Sequence, residues 1–239
     1  MKIALVGYGK MGKAVEEIAI EKGHQIVLRI NSKNPYDLNL SNLKKADVAI
    51  EFTRPETAVE NIVTCLKAGL PVISGTTGWL EKFEHVKELV RANNGAFLFA
   101  SNFSIGVNLF FRLNSYLAKM MSSYPDYEVL VKEIHHTEKK DAPSGTAITL
   151  AEQILSNYSF KKEWINEPTN DPEKLAIISE RIDTAPGTHE VTYRSSIDDI
   201  QIKHTAHSRK GFAGGAVLAA EFIIGKKGIF TMSDVLGIG

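Results

Sequence analysis

The chain has 239 residues, enough for one to two domains with a core that needs no staples, and its 44% apolar and 23% charged residues exclude a disordered chain. Its 28 basic and 28 acidic side chains cancel, which argues against a protein built to grip nucleic acid or an anionic membrane, since both need a positive excess. Cys65 is the only cysteine, which rules out an intramolecular disulfide framework and suits a reducing cytosol.

The first hundred residues alternate strand-like and helix-like segments. Lys2–Val6 is a short aliphatic run followed by a glycine turn, a helical stretch over Lys13–Lys22 and a strand over Gln25–Ile30. Asn31–Lys45 is polar, holds Pro35 and reads as a loop with little regular structure. Val48–Phe52 is a third strand, and Pro55 opens a helix over Glu56–Ala68. Pro71–Ser74 and Ala96–Ala100 are two more apolar strands, with a helix over Glu81–Arg91 between them. Apolar strands alternating with helices predict a parallel sheet covered on both faces.

The pattern then changes. A helix over Leu109–Met121 is followed by strand candidates at Tyr127–His135, Ala176–Ile182, His189–Arg194 and Ile200–His207. Consecutive strands without intervening helices predict a mixed sheet, hence a second domain of α+β type. Asn157–Lys174 reads as a polar connection, Phe212–Ile224 as a last helix, and Gly225–Gly239 as a short mixed tail. The run Ile3–Val6 is too short for a signal peptide, and Ala216–Ile224, broken by Glu221, is too short for a membrane span. The expectation is a soluble, cytoplasmic protein.

Gly7-Tyr8-Gly9-Lys10-Met11-Gly12 fits the dinucleotide fingerprint, and it follows a predicted strand and opens a predicted helix, as the motif requires. Gly7 allows the tight turn, Gly9 lets the backbone approach a pyrophosphate, and Gly12 allows close helix–strand packing. A fold preferring NAD usually carries an acid about 20 residues on. Here that region reads Asn31-Ser32-Lys33, with no acid before Asp37, so the neutral Asn31 and Ser32 tolerate a 2′-phosphate. NADPH is favoured, with NADH allowed.

The segment from Glu133 to Thr146 leaves a strand, gathers His135, His136, Lys139 and Lys140, and enters a helix through Pro143-Ser144-Gly145-Thr146. Adjacent strand residues point to opposite faces, so His135 and His136 do not suit one shared metal, and no zinc-type spacing accompanies them. No metal is expected. A histidine beside a lysine can polarise or protonate a reducible C=N group. Ser144, Gly145 and Thr146 at a helix start offer N–H groups and hydroxyls to a substrate carboxylate. The competing reading is a polar loop with a helix cap. His24 and His85 read as surface or helix-end residues, and His189 and His204 lie in strands without an evident partner.

Glu133–Ala147, with Gly7–Gly12, Gly75-Thr76-Thr77-Gly78 and Ala100–Asn108, closely resembles the 4-hydroxy-tetrahydrodipicolinate reductase (dihydrodipicolinate reductase) family of diaminopimelate and lysine biosynthesis, over nearly the whole chain. The resemblance implies a homotetramer of two-domain subunits. A Rossmann-type dinucleotide-binding domain spans 1–103, completed by 212–239. An α+β domain for substrate binding and tetramerisation spans 104–211. It implies His135 as proton donor or acceptor and Lys139 as a second proton donor. His136, Gly145, Thr146 and Arg209 correspond to binding positions for a small dicarboxylate substrate. Gly75, Thr76 and Thr77, with Ala100, Ser101, Asn102 and Phe103, correspond to segments lining the nicotinamide. Asn31 departs from the acid found in better-known members. The rival readings are another two-domain nicotinamide dehydrogenase, which would lack the His135–Thr146 string, and a non-catalytic dinucleotide sensor, which would want a basic DNA-binding segment.

Overall fold

A computed structural model describes residues 1–208 and 210–238. The chain divides into two compact units, one of Met1–Ile105 with Lys210–Gly239 and one of Gly106–Arg209.

The first unit begins β1 (Lys2–Val6), α1 (Lys10–Glu21), β2 (Gln25–Ile30), α2 (Leu40–Leu43), β3 (Val48–Glu51) and α3 (Pro55–Lys67). It continues with β4 (Val72–Ser74), α4 (Phe83–Ala92) and β5 (Ala96–Phe99). In the second unit, α5 (Ile105–Met121), β6 (Glu128–His135), α6 (Gly145–Asn157), β7 (Glu163–Ile165), β8 (Lys174–Arg181), β9 (Thr188–Arg194) and β10 (Asp199–Thr205) follow. The chain returns to the first unit with α7 (Lys210–Ile223), β11 (Gly228–Phe230) and α8 (Met232–Leu236).

The first sheet has six strands in the order β11-β5-β4-β3-β1-β2, all parallel. Its central strands are apolar throughout because helices cover both faces. On one face Ile3, Leu5, Ile50, Ile73 and Leu98 pack with Val15 and Ala19 of α1 and with Ala213, Ala216, Val217 and Ala220 of α7. On the other, Ala4, Val6, Ala49, Val72 and Phe97 pack with Ile62 and Leu66 of α3 and Val86 and Val90 of α4. Each fully buried Leu, Ile or Val contributes roughly 1.5–3 kcal/mol relative to exposure. Strand order reverses around β1, where the β1–α1 turn opens, which is the place open α/β sheets reserve for ligands.

The second sheet is mixed, in the order β10-β9-β6-β8-β7. β6 pairs in parallel with β8, which pairs in parallel with β7, while β6–β9 and β9–β10 are antiparallel. One face of it carries α5 and α6, with Val129, Val131, Leu175, Ile177 and Val191 packed against Phe110, Leu117, Leu150 and Ile154.

The fold class is the one expected, an α/β parallel-sheet domain with a mixed-sheet partner. Several segments differ from the sequence reading, among them α5, which starts at Ile105 rather than Leu109. α1 starts at Lys10 rather than Lys13, because Gly9 already stands at its N-cap and the glycine turn is complete by then. The stretch read as a loop over Asn31–Lys45 holds a 3-10 turn at Pro35–Asp37 and α2, capped by Asn39 and anchored by the fully buried Leu43. The polar connection after Asn157 contributes β7, adjoining buried Lys161, whose ammonium pairs with Glu128. The tail supplies β11 as an edge strand of the first sheet and α8, opened by a Thr231/Asp234 capping box.

Candidate active site

In the first unit, the β1–α1 turn has the geometry of a phosphate cradle. Gly7 has φ +100, and a Cβ there would stand 1.9 Å from the carbonyl oxygen of Phe52, so only glycine makes the turn. Gly7 and Tyr8 both donate their N–H to the carbonyl of Ile30, which ties the turn to the end of β2. A Cβ on Gly12 would stand 2.5 Å from the Gly7 oxygen, whereas one on Gly9 would meet nothing within 4 Å. No side chain caps α1 and no acid stands in its first turn, so its N-terminus is open to an anion. The turn opens on a cavity of about 450 Å³ lined by Gly7, Tyr8, Gly9, Asn31, Ser32 and Arg54, among others. These features fit the pyrophosphate and ribose of a dinucleotide.

The surrounding side chains fix the turn. Glu16 of α1 accepts hydrogen bonds from the Tyr8 hydroxyl and from Arg29 (Nε 2.9 Å), and Arg29 lies over the Tyr8 ring. Lys10 is exposed and Met11 packs on the core. The Asn31 side-chain carbonyl already accepts from Lys33 N at 2.8 Å. At the ends of β3 and β4, fully buried Glu51 accepts from Ser74 Oγ (2.6 Å), Thr76 Oγ1 (2.7 Å) and Thr53 N (2.8 Å). That carboxylate ties together the loop that carries Gly75, Thr76 and exposed Thr77. A Cβ on Gly75 would collide with the Phe52 ring at 2.0 Å. Phe52 packs edge-on against buried Phe103, and the Ala100 N–H reaches Ser74 O. Ser101 is exposed and Asn102 half-buried.

In the second unit, β6 alternates burial along its length, which puts Glu133 and His135 together on the inner face and leaves His136 half-buried beyond the strand. Glu133 is fully buried. Its Oε1 accepts from Arg181 Nη2 at 3.0 Å and from the Ser144 N–H at 3.1 Å, and its Oε2 lies 2.8 Å from His135 Nδ1. His189 stands directly opposite Glu133 on β9 and meets the His135 ring edge-on, with centroids 5.0 Å apart. Ser144 caps α6, accepting from the Ala147 N–H at 3.2 Å, and its hydroxyl lies 3.1 Å from His189 Nε2. Its hydroxyl is thereby committed inside the protein, while Gly145 is exposed and Thr146 half-buried. Lys139 pairs with both oxygens of Asp141 at 2.8 Å, which holds the Asp141 carboxyl below its ordinary range. Arg209 lies outside the described residues.

Glu133, His135 and His189 bring three possible ligand atoms within 4.8 Å of one another, a grouping the His135–His136 argument did not foresee. Arg181 donates to the other oxygen of that carboxylate and the Ser144 hydroxyl lies 3.1 Å from His189 Nε2, so a cation and a hydroxyl already engage two of the three residues, while Glu133 Oε2 and His135 Nδ1 have no hydrogen-bond partner. Burial opposes ionisation of Glu133, but contacts from His135, Ser144 and Arg181 outweigh it and hold the carboxyl well below the ordinary carboxylate range.

Two family models match this chain, the N-terminal part of dihydrodipicolinate reductase over residues 1–103 and its C-terminal part over 106–236. The chain is 51% identical over 237 residues to the 4-hydroxy-tetrahydrodipicolinate reductase of Christiangramia forsetii, covering 99% of this chain and 98% of that protein. The chain belongs to the dihydrodipicolinate reductase family. It is also 35% identical over 201 residues to the 4-hydroxy-tetrahydrodipicolinate reductase of Methanocaldococcus jannaschii, covering 81% of this chain and 72% of that one. Dipicolinate-bound dihydrodipicolinate reductase from Paenisporosarcina sp. TG-14 shares the fold, with a TM-score of 0.79 over 97% of each chain at 24% identity. As a dihydrodipicolinate reductase, the chain is an NAD(P)H-dependent oxidoreductase.

The residues that sequence reasoning missed in this dihydrodipicolinate reductase are Glu133, Arg181, Gly187 and His189. Glu133 had a signal, an acid two positions before His135 on an alternating strand. Arg181, directly opposite His135 on β8, and His189 had none, because strand register alone brings them in. Burial pushes His189 down to about 3, with His135 acting in the same direction. The folded chain therefore keeps a neutral imidazole where the unfolded chain binds a proton below about pH 6.5. This group's contribution is complete above that pH and is lost as pH falls toward 3, at roughly 1.4 kcal/mol per pH unit. In urea titrations from about pH 6 to about pH 4.5, His189→Gln is expected to show a shallower loss of stability than the parent. Equal slopes would refute the neutral, buried His189.

Proposed function

We propose that this chain reduces the dehydrated cyclic imine of (2S,4S)-4-hydroxy-2,3,4,5-tetrahydrodipicolinate to (S)-2,3,4,5-tetrahydrodipicolinate, in diaminopimelate and lysine biosynthesis. The reading is carried by one observation. A buried imidazole, His135, lies against the Glu133 carboxylate and is followed by Lys139 and by the exposed Gly145 at the start of α6, in a chain that matches the reductase family over 1–103 and 106–236.

A reduced nicotinamide supplies the hydride when bound. The chain's own groups do the rest. The α1 N-terminus and the glycine turn hold the pyrophosphate, and the Gly75–Thr77 and Ala100–Phe103 loops hold the nicotinamide side. His135 and Lys139 deliver the proton that balances the added hydride. His136, Thr146, Arg209 and the Gly145 N–H grip the two carboxylates, with Arg209 suited to a bidentate contact and Ser144 holding the helix start in place. Homotetramer assembly in the cytoplasm belongs to the same proposal. Its support is the apolar stripe of Leu109, Leu113, Tyr116 and Met120 left exposed on α5, together with the observation that no described helix is long and apolar enough to cross a membrane.

The preferred coenzyme is NADPH. Asn31 and Ser32 are neutral, Lys33 follows them, and Arg54 adds positive charge to the same cavity. Following reduced-coenzyme absorbance with freshly generated substrate is expected to show oxidation of both coenzymes, faster with NADPH. No oxidation of either would overturn the function. Asn31→Asp places a carboxylate where a 2′-phosphate would sit and where a 2′-hydroxyl could be accepted. It is expected to lower kcat/KM for NADPH by roughly tenfold or more while sparing NADH. An unchanged ratio of the two would remove Asn31 from coenzyme choice.

A further inference from the structure

We infer that Glu133 is the positioning residue for His135, fixing the proton on its Nδ1 and leaving Nε2 as the working nitrogen. This rests on the reading above, in which His135 exchanges a proton with substrate. The two residues are two positions apart on β6 and share its inner face. Glu133 Oε2 lies 2.8 Å from His135 Nδ1, close but off the line of a well-aligned hydrogen bond, and neither atom has another partner; a carboxylate at that distance can only accept, so the contact favours a hydrogen on Nδ1. The carboxylate is itself fixed, because its other oxygen takes the Arg181 guanidinium and the Ser144 N–H. On the opposite side of the ring stands Gly187, with φ +152, where a Cβ would lie 3.0 Å from Nε2. The absence of a side chain at that position leaves room beside Nε2. The groups around the ring are therefore Glu133 on its own strand, Arg181 on β8, His189 on β9 and Ser144 at the start of α6.

The arrangement makes Glu133→Gln a sharp test. Two donors, from Arg181 and Ser144, already converge on Oε1, so a glutamine must place its carbonyl there and turn its NH₂ toward His135. Facing a donor, Nδ1 becomes the acceptor and the proton moves to Nε2. The full-length protein with ¹⁵N-labelled histidine, observed by imidazole ¹⁵N–¹H correlation at a pH where the ring is neutral, is expected to show His135 as the Nδ1–H tautomer. Glu133→Gln is expected to show the Nε2–H tautomer and a kcat lower by roughly tenfold or more, with the KM for reduced coenzyme unchanged. Glu133→Asp, which keeps an acceptor facing the ring, is expected to retain the parent tautomer and recover part of kcat.

The parent spectrum alone can overturn the inference: an Nε2–H His135 there sinks it, whether or not the glutamine variant folds. A Glu133→Gln enzyme with parental tautomer and parental kcat does the same. Full turnover by His135→Ala would instead remove the underlying reading. Loss of turnover by that variant together with an Nε2–H parent removes the positioning role alone.

Discussion

His135→Ala is expected to lower kcat by roughly 10²–10⁴-fold while leaving the affinity for reduced coenzyme unchanged, and Lys139→Ala is expected to lower kcat in the same sense. The separation follows from where the groups sit. His135 and Lys139 belong to the second unit, at the end of β6 and in the turn after it, whereas the glycine turn, Asn31 and the Gly75–Thr77 loop belong to the first. Loss of a proton donor should therefore appear in the chemical step and not in a coenzyme titration followed by nicotinamide fluorescence. His135 is only 8% exposed, so a thermal melt of the variant must accompany the kinetics to show that the fold survives. Near-parental turnover in both variants would end the catalytic assignment.

Two neighbouring glycines of α7 are expected to give opposite answers to the same substitution. Both precede the Ala216–Ile223 run, and in the sequence they are indistinguishable. A Cβ on Gly215 would stand 1.7 Å from the backbone oxygen of Phe103, a collision that no rotamer change can relieve. Gly215→Ala must push α7 away from the sheet it covers and is expected to cost about 3 kcal/mol or more. At Gly214 a Cβ would meet nothing within 4 Å, so Gly214→Ala removes only backbone freedom and is expected to be neutral or stabilising, by up to about 1 kcal/mol. The check is a pair of denaturant titrations at one pH. Equal midpoints for the two variants would mean that α7 does not sit against Phe103 as described.

Much of the first unit was legible because its signals are local. The β1 run, the glycine turn and the helix that follows occupy consecutive residues, and the polarity of each follows from its period and its flanks. The elements that were not legible are those stabilised by distant partners. Three-residue β7 and β11 have no periodicity to read, and they are strands only because β8 and β5 supply the facing backbone groups. The four residues of α2 are helical around one buried leucine, Leu43, whose burial cannot be seen from a polar stretch.

The candidate site divides in the same way. His135, Lys139, Gly145 and the glycine turn were found as residue types at spacings that chemistry needs, and a family resemblance then gave them expected roles. Their environment was not legible. Register between β6 and β9 sets Glu133 opposite His189, and register between β6 and β8 sets His135 opposite Arg181. Sequence separations of 46 and 56 residues carry no trace of such contacts.

By itself, then, the sequence determined the chemistry available to this protein. A zero net charge argued against polyanion binding, and a single cysteine excluded an intramolecular disulfide. A glycine turn between strand and helix pointed to a nucleotide, and a histidine–lysine segment entering a helix was compatible with a small anionic substrate. These are properties of single residues and near neighbours, and they survive in any fold that keeps the segments intact. Tertiary structure alone decided the states of those residues. It put an ionised carboxylate against one nitrogen of His135 and a glycine against the other, and it emptied His189 of its proton by burial. The physical reason is that protonation and tautomer depend on desolvation and on partners within about 3 Å, and the strands that supply those partners meet only in the folded sheet.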